Sequence, residues 1–484
     1  MITLEPKWRA FAAIALTYVT IVFSSSMSFL MLDAISDDFG ITLGVVAWVV
    51  IIEALIVGAL LLPLGDLGDR LGRRRVLATG MALFGAGCVL TGLAPTFGWL
   101  IAARVITSIG NALTQSIATG LLVASFPPAE RGLAMGAQTT AVAAGSASGP
   151  VVAGLLLQVL SWRTIFVALA VPSAAAVVTV LTLIARDTPS IGGRRSIDIG
   201  SAALSAAAVT LLTVTINNPF DWAWQSWPIL VGLALTIGTF VAYVRWELAS
   251  DQPMLDLRLF RIVPFRAGVT VRWLGFLAST TLMLLMPILL ISVQGRSGGL
   301  AGVVIACTAI GMGVSAQVSG RLYDRHGPRL PTMAGLSLQS LVFLGLAFVS
   351  ESTHWLLLAL ASLAQGIAMG QWNVAGNSAI LGATPPEALG VGGAFTNVTR
   401  TVGNVFGQAI ATAIVVAVLR NQGFDIPLGD IEETPGAGGA FIDGWRVCCL
   451  MGTTISLGLV LHAGHTDWED RRARAEERAA QLPS

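Results

Sequence analysis

One glutamate stands deep inside a hydrophobic run. Glu53 falls in Trp48-Val49-Val50-Ile51-Ile52-Glu53-Ala54-Leu55, ten residues from the outer start of an apolar segment over 43–64. At 1.5 Å per residue, that places it about 15 Å into a hydrocarbon layer roughly 30 Å thick. An ionised carboxylate there costs roughly 2.5–3.5 kcal/mol, so it must be paired, reached by water or protonated. Burial and a nearby cation act on such a group in opposite senses. A carboxyl balanced between them can take a proton from one side of a membrane and release it to the other. Arg104, in the segment 98–124, offers that cation at a similar depth, and Asp33 is a second candidate partner at the outer mouth. A purely structural ion pair is the competing reading.

Other polar residues fall within apolar segments and are candidates to line a passage: Ser24, Ser25, Ser28, Asn111, Gln115, Gln365, Gln371, Trp372, Asn373, Asn377 and Asn397. Arg400 and Arg272 are deep cations further along the chain. Each could equally bond a neighbouring helix or, for Arg272, reach back to the lipid headgroups. With aliphatic and aromatic neighbours, such a passage suits a hydrophobic or amphipathic solute better than a sugar.

The elements that hold these residues follow from composition. Of 484 residues, 55% are hydrophobic and 11% charged, and the mean hydropathy is +0.78. A soluble chain carries roughly 25% charged residues, so a soluble enzyme is excluded. Fourteen segments approach the roughly 20 apolar residues of a span: 9–32, 43–64, 76–94, 98–124, 133–158, 164–185, 199–216, 228–246, 265–292, 299–319, 331–350, 355–381, 391–419 and 445–464. They lack the alternation of a β-barrel strand and predict helices. With the N-terminus inside, 21 of the 28 Lys and Arg residues fall on the inner side and four on the outer. That asymmetry places both termini in the cytoplasm of a cell whose plasma membrane the chain crosses. The acids of 420–444 mark the longest outer loop, and the tail 465–484 alternates charges as a short solvated helix. Cys88, Cys307, Cys448 and Cys449 lie in apolar stretches without metal-site spacing and are expected as small core residues.

The chain repeats itself. Gly65-Asp66-Leu67-Gly68-Asp69-Arg70-Leu71-Gly72-Arg73-Arg74 recurs 255 residues later as Gly320-Arg321-Leu322-Tyr323-Asp324-Arg325-His326-Gly327-Pro328-Arg329, in the frame G-x-L-x-D-R-x-G-x-R. Each copy follows the second helix of its half on the inner side. The expected units are 1–187, a six-helix bundle; 188–262, two inserted helices; 263–464, a second six-helix bundle; and 465–484, a tail. In each loop, Gly65, Gly72, Gly320 and Gly327 allow a tight path, while Asp69, Arg70, Arg73, Asp324 and Arg325 can bond backbone or anionic lipid.

These loops resemble the inner-loop signature of the major facilitator superfamily. The resemblance covers roughly residues 9 to 464, and fourteen spans look like its QacA/EmrB-type drug:proton antiporter branch. Gly145-Ser146-Ala147-Ser148-Gly149-Pro150-Val151-Val152-Ala153-Gly154 is similar to that branch's antiporter motif, with Gly145, Gly149, Pro150 and Gly154 retained and Ala153 replacing a Gly. Small residues and a proline at this spacing describe a bent helix packed closely at the seam between bundles. Arg104 with Gly110 is similar to the branch's R-x-x-x-x-x-G motif, whose Arg the resemblance implies in proton transfer. Phe126-Pro127-Pro128-Ala129-Glu130-Arg131-Gly132, Ser161-Trp162-Arg163 and Asp198-Ile199-Gly200 read the same way. The chain departs from the branch at Ser24, where an Asp is usual, and at Glu53, where an aromatic is usual.

The expected protein is an all-α membrane protein of major facilitator fold, a monomer in the bilayer. It exports a small hydrophobic or amphipathic compound by proton antiport, with no cofactor or metal and no nucleic-acid partner. An uptake symporter for a small metabolite remains as an alternative. A membrane-embedded lipid transferase is a further one, because His462-Ala463-Gly464-His465-Thr466-Asp467 fits H-x-x-x-x-D. No G-x-x-x-x-G-K-[ST] phosphate loop occurs, which counts against direct ATP drive.

Overall fold

The structure is a computed structural model and describes residues 5–185, 198–217, 226–250, 257–385, 388–424 and 434–466, with the single positions 253, 426 and 431. The acids Asp221, Asp425, Asp430, Glu432 and Glu433 and the tail from 467 onward, including Asp467, lie outside the described residues.

All fourteen predicted segments are helical. In our numbering they are α1 Pro6–Ser28, α2 Trp48–Leu71, α3 Arg73–Gly92, α4 Phe97–Ala124, α5 Arg131–Leu156, α6 Trp162–Leu183, α7 Ile199–Asn217, α8 Trp227–Ala249, α9 Val263–Ile288, α10 Gly298–His326, α11 Arg329–Leu346, α12 Trp355–Gly382, α13 Leu389–Asn421 and α14 Ala437–His465. α6 is two helical pieces joined at Leu169. Among the described residues, twelve helices are long and apolar enough to cross a membrane. The other two are α7, whose apolar stretch is Gly200–Ile216, and α11. α11 dilutes its apolar face with Thr332, Gln339 and Ser340, all of which turn inward and are buried.

Helix starts follow their capping residues. Thr96, Ser161 and Ser297 accept from the backbone N–H of Trp99, Thr164 and Leu300 at 3.3, 3.3 and 3.4 Å. The repeated loops both reverse at a glycine of positive φ. Gly72 has φ +99° and Gly327 has φ +74°, a region that a Cβ disfavours.

Packing repeats as the sequence does. In the first half α1 lies on α5, and α3 lies on α4 and α6; in the second, α9 lies on α13, and α11 lies on α12 and α14. The halves meet where α5 crosses α10 and α13 crosses α2 and α4. The pair α7–α8 packs beside this seam, with α7 on α2 and α13. α8 leaves Trp227, Leu230, Ile237, Phe240 and Leu248 exposed, the surface a bilayer covers. Cys88, Cys448 and Cys449 are buried and unbridged.

The seam is tightest at the end carrying the repeated loops, here called the motif end. A Cβ on Gly320 would sit 2.3 Å from the Gly132 carbonyl oxygen, and one on Gly136 would sit 2.5 Å from that of Ala316. On the paired seam, a Cβ on Gly120 would meet the Leu389 oxygen at 2.4 Å, and one on Gly65 would meet the Ala394 Cβ at 2.8 Å. Toward the opposite end α5 turns its glycines to its own half: Gly145 faces Val19 and Phe23 of α1, and Gly149 faces Phe23 and Ser26. Gly154 only grazes Leu30, at 3.9 Å. The Gly-Pro motif, with Pro150 inside α5, therefore packs α5 on α1 instead of at the seam, and the seam uses Gly132 and Gly136. A pattern of small residues specifies close approach but not the helix approached.

Replacing Gly320 by Val forces these backbones apart. Spin labels at exposed Ala129 and His326, one in each half at the motif end, are expected to show a longer mean separation in Gly320→Val than in the unsubstituted chain.

Candidate functional site

Glu53 projects from α2 into the contact between α1, α2 and α4 and is 9% exposed, while Arg104 of α4 is fully buried. The two form an ion pair through Glu53 Oε2 and Arg104 Nη2. Arg104 is held from three further directions. Its Nε donates to the Val49 carbonyl at 3.3 Å, its guanidinium lies 5.6 Å from the Phe166 ring centroid, and its own carbonyl accepts from Ser108 Oγ at 2.7 Å. The other carboxylate oxygen of Glu53 accepts from Ser25 Oγ at 2.6 Å and Asn111 Nδ2 at 2.9 Å. A carboxylate with three donors, one of them a cation, is well compensated for its burial.

The network continues across the seam. Gln115 Nε2 donates to Asn111 Oδ1 at 2.7 Å, and Gln115 Oε1 accepts from Arg400 Nη2 at 3.1 Å. Asn397 closes the group: its Oδ1 accepts from Arg400 at 3.3 Å, and its Nδ2 donates to the Gln115 carbonyl at 3.2 Å. Hydrogen bonds thus run unbroken from Ser25 and Glu53 in one half to Arg400 in the other. Gln115, Asn397 and Arg400 are half-buried, so this part of the seam is partly open.

Other predicted residues lie apart. Asp33 is exposed on the short helix Leu32–Phe39 and forms no ion pair with Arg104. Ser24 and Ser28 are buried within the packed face of α1, and Ser25, one residue on, reaches Glu53 instead. Trp372 is fully buried, edge-on to Phe276 at 5.0 Å, with its indole N–H on Gln339 Oε1 at 2.7 Å. It supports the second half from within. Asn373 accepts from Arg272, and Asn377 reaches Met135 Sδ at 3.3 Å across the seam. One buried acid escaped the sequence reading: Glu247 of α8, 3% exposed, accepts from Ser201 Oγ of α7. It lies past the predicted end of its segment at 246, two residues from the end of the helix. Tyr243, one turn earlier and also buried, was the available signal for that longer helix.

At the motif end, Asp324 of α10 accepts from the backbone N–H of Gly132 at 2.7 Å and Leu133 at 2.8 Å, in the first turn of α5. A carboxylate of one half thus caps a helix of the other, where free N–H groups and the helix dipole favour negative charge. Lys7 braces the same corner through Glu130 at 2.8 Å. The side chains of Asp69 and Arg70 lie outside the described residues. Asp324→Asn removes the charge from two bonds worth roughly 1.5–3 kcal/mol each. The expected outcome is a partial shift of the Ala129–His326 label pair toward longer separations, smaller than that of Gly320→Val.

The sequence model of the major facilitator superfamily matches the chain in two segments, residues 14–258 and 268–478. The chain belongs to that superfamily. Its members' names give context. The methyl viologen resistance protein SmvA of Salmonella typhimurium is 30% identical over 414 residues, covering 84% of this chain and 81% of that protein. The riboflavin transporter RibZ of Clostridioides difficile is 26% identical, covering 87% and 91%. The human organic anion transporter MFSD10 superposes with a TM-score of 0.65 at 16% identity, covering 94% of this chain and all of that one, a likeness of fold. The superfamily assignment and the apolar helices make this chain a multi-pass membrane transporter instead of an enzyme.

Proposed function

We propose that this transporter is a proton-coupled antiporter of the fourteen-helix QacA/EmrB type. It exports hydrophobic or amphipathic compounds across the plasma membrane, as a monomer, without cofactor or metal. Both termini and the motif end face the cytoplasm. The observation carrying this reading is the Glu53 carboxylate, held inside the helices by Arg104, Asn111 and Ser25.

Its chemistry suits a proton exchanged for cargo. When Glu53 is charged, Arg104 and Asn111 are engaged. When it takes a proton, it loses the charge that holds Arg104, and Asn111 is free to turn, which loosens Gln115 and the contact with Arg400. Proton binding on one side and cargo binding on the other can then favour different seams, which is what alternating access requires. The cap of Asp324 on α5, with the glycine contacts around it, describes the state closed at the motif end.

Export is supported by SmvA, because a membrane transporter confers resistance by lowering the internal concentration of the toxic compound. RibZ supports a second reading, transport of a small metabolite with inward direction open to test. Both readings are separated by one assay. In proteoliposomes of known orientation loaded with a lipophilic dye, an inward proton gradient should drive dye out through an antiporter. Accumulation of dye along with protons would instead make the chain a symporter.

A further inference from the structure

Two further guanidinium groups within the helices lack what Arg104 has. Arg272 of α9, 3% exposed, gives Nη1 to the Asn373 side-chain oxygen and to its carbonyl at 3.2 Å, and Nη2 to the Thr396 carbonyl at 2.9 Å. Arg400 gives Nη2 to Gln115 and Asn397. Every one of these acceptors is neutral. The Nε atoms of both arginines are buried without an acceptor. The Phe276 ring, 5.3 Å from Arg272, is a weak substitute for a counter-charge. Both cations address one turn of α13, residues 396–400.

Two neighbouring cations whose acceptors in the protein are all neutral amide and carbonyl oxygens form an arrangement that a shared anion would favour. We propose that Arg272 and Arg400, with Asn373, Asn397 and Gln115, form the subsite for an acidic group of the cargo. The transported compound is then an amphipathic anion, with one carboxylate, sulfonate or phosphate on an apolar body. This rests on the reading of the chain as an exporter of amphipathic compounds. The half-buried Arg400, Gln115, Asn373 and Asn397 give the anion access, and the deeper Arg272 supplies the second charge. Gln115 joins this subsite to the proton site. An anion that takes Arg400 releases Gln115 Oε1, and Gln115 is bonded through Asn111 to Glu53.

The test is binding to the purified full-length chain in phosphatidylcholine nanodiscs. One probe set is a naphthalene carboxylate with its neutral carboxamide and its amine; the other is oleate with oleyl alcohol. The acid of at least one set should bind about tenfold more tightly than its uncharged partner. Preference for the naphthalene acid assigns a soluble cargo, and preference confined to oleate assigns a lipid-type one. Arg400→Gln should abolish the preference and Arg400→Lys should keep part of it. Gln115→Glu, which sets a carboxylate beside Arg400, should abolish it in a chain that keeps its charges balanced. No acid preference in either set, or a preference that survives Arg400→Gln, overturns the proposal. Gradient-driven export of neutral or cationic dyes without acid preference would leave the exporter reading standing alone. Acid preference without gradient-driven export would leave the subsite and remove the exporter reading.

Discussion

Glu53→Gln is expected to reduce gradient-driven export to the level of protein-free liposomes, while exchange of labelled for unlabelled cargo at equal pH continues. The substitution keeps the size of the side chain and an oxygen that can accept from Ser25 and Asn111. It removes the ability to alternate between charged and neutral forms, and with it the counter-charge of Arg104. Exchange needs the halves to rock with cargo bound, whereas net export against a gradient needs a proton to return in its place. Measuring both fluxes in one preparation separates coupling from folding. Loss of both would point to a structural role for Glu53, and retention of both would remove it from coupling altogether.

Arg104→Gln is expected to be the most destabilising single substitution of the site. It strands the Glu53 carboxylate among α1, α2 and α4, and breaking a buried pair from one side costs roughly 3–5 kcal/mol. The same change opens the anchorage of Arg104 on the Val49 carbonyl and beside Phe166. The double variant Glu53→Gln/Arg104→Gln leaves neither charge behind. It should recover a large part of the loss, so the two substitutions are strongly non-additive in thermal unfolding of the detergent-purified chain. Additive losses would mean that the two charges are not coupled.

Much of this arrangement is legible in the chain because a bilayer allows few solutions. Uninterrupted apolar length located the helices, and the recurring G-x-L-x-D-R-x-G frame located the loops that reverse at Gly72 and Gly327. Depth counted along two helices brought Glu53 and Arg104 to the same level, and there they meet. What the chain hides is rotation and partnership. One residue turns a helix by roughly 100°, so Ser24 and Ser25 face different neighbours although both are serines in one run. Gly145 and Gly149 announced close packing, yet nothing local distinguishes α1 from α10 as the surface they meet. Trp372 and Gln339 form an internal bond of the second half that looks, in sequence, like any polar pair facing a passage. The link from Gln115 to Arg400 spans 285 positions and exists only once α4 and α13 are side by side. α11 shows the reverse case: buried Thr332, Gln339 and Ser340 lower its apolar content, although Leu330, Leu341 and Leu344 leave it an exposed apolar face.

The most direct measurement is proton release on cargo binding. Purified chain in weakly buffered detergent solution, with Glu53 initially protonated, should acidify the medium when a saturating transported dye is added. The Glu53→Gln chain should bind the same dye and leave the pH unchanged. Equal acidification by both chains would contradict Glu53 as the group that trades a proton for cargo.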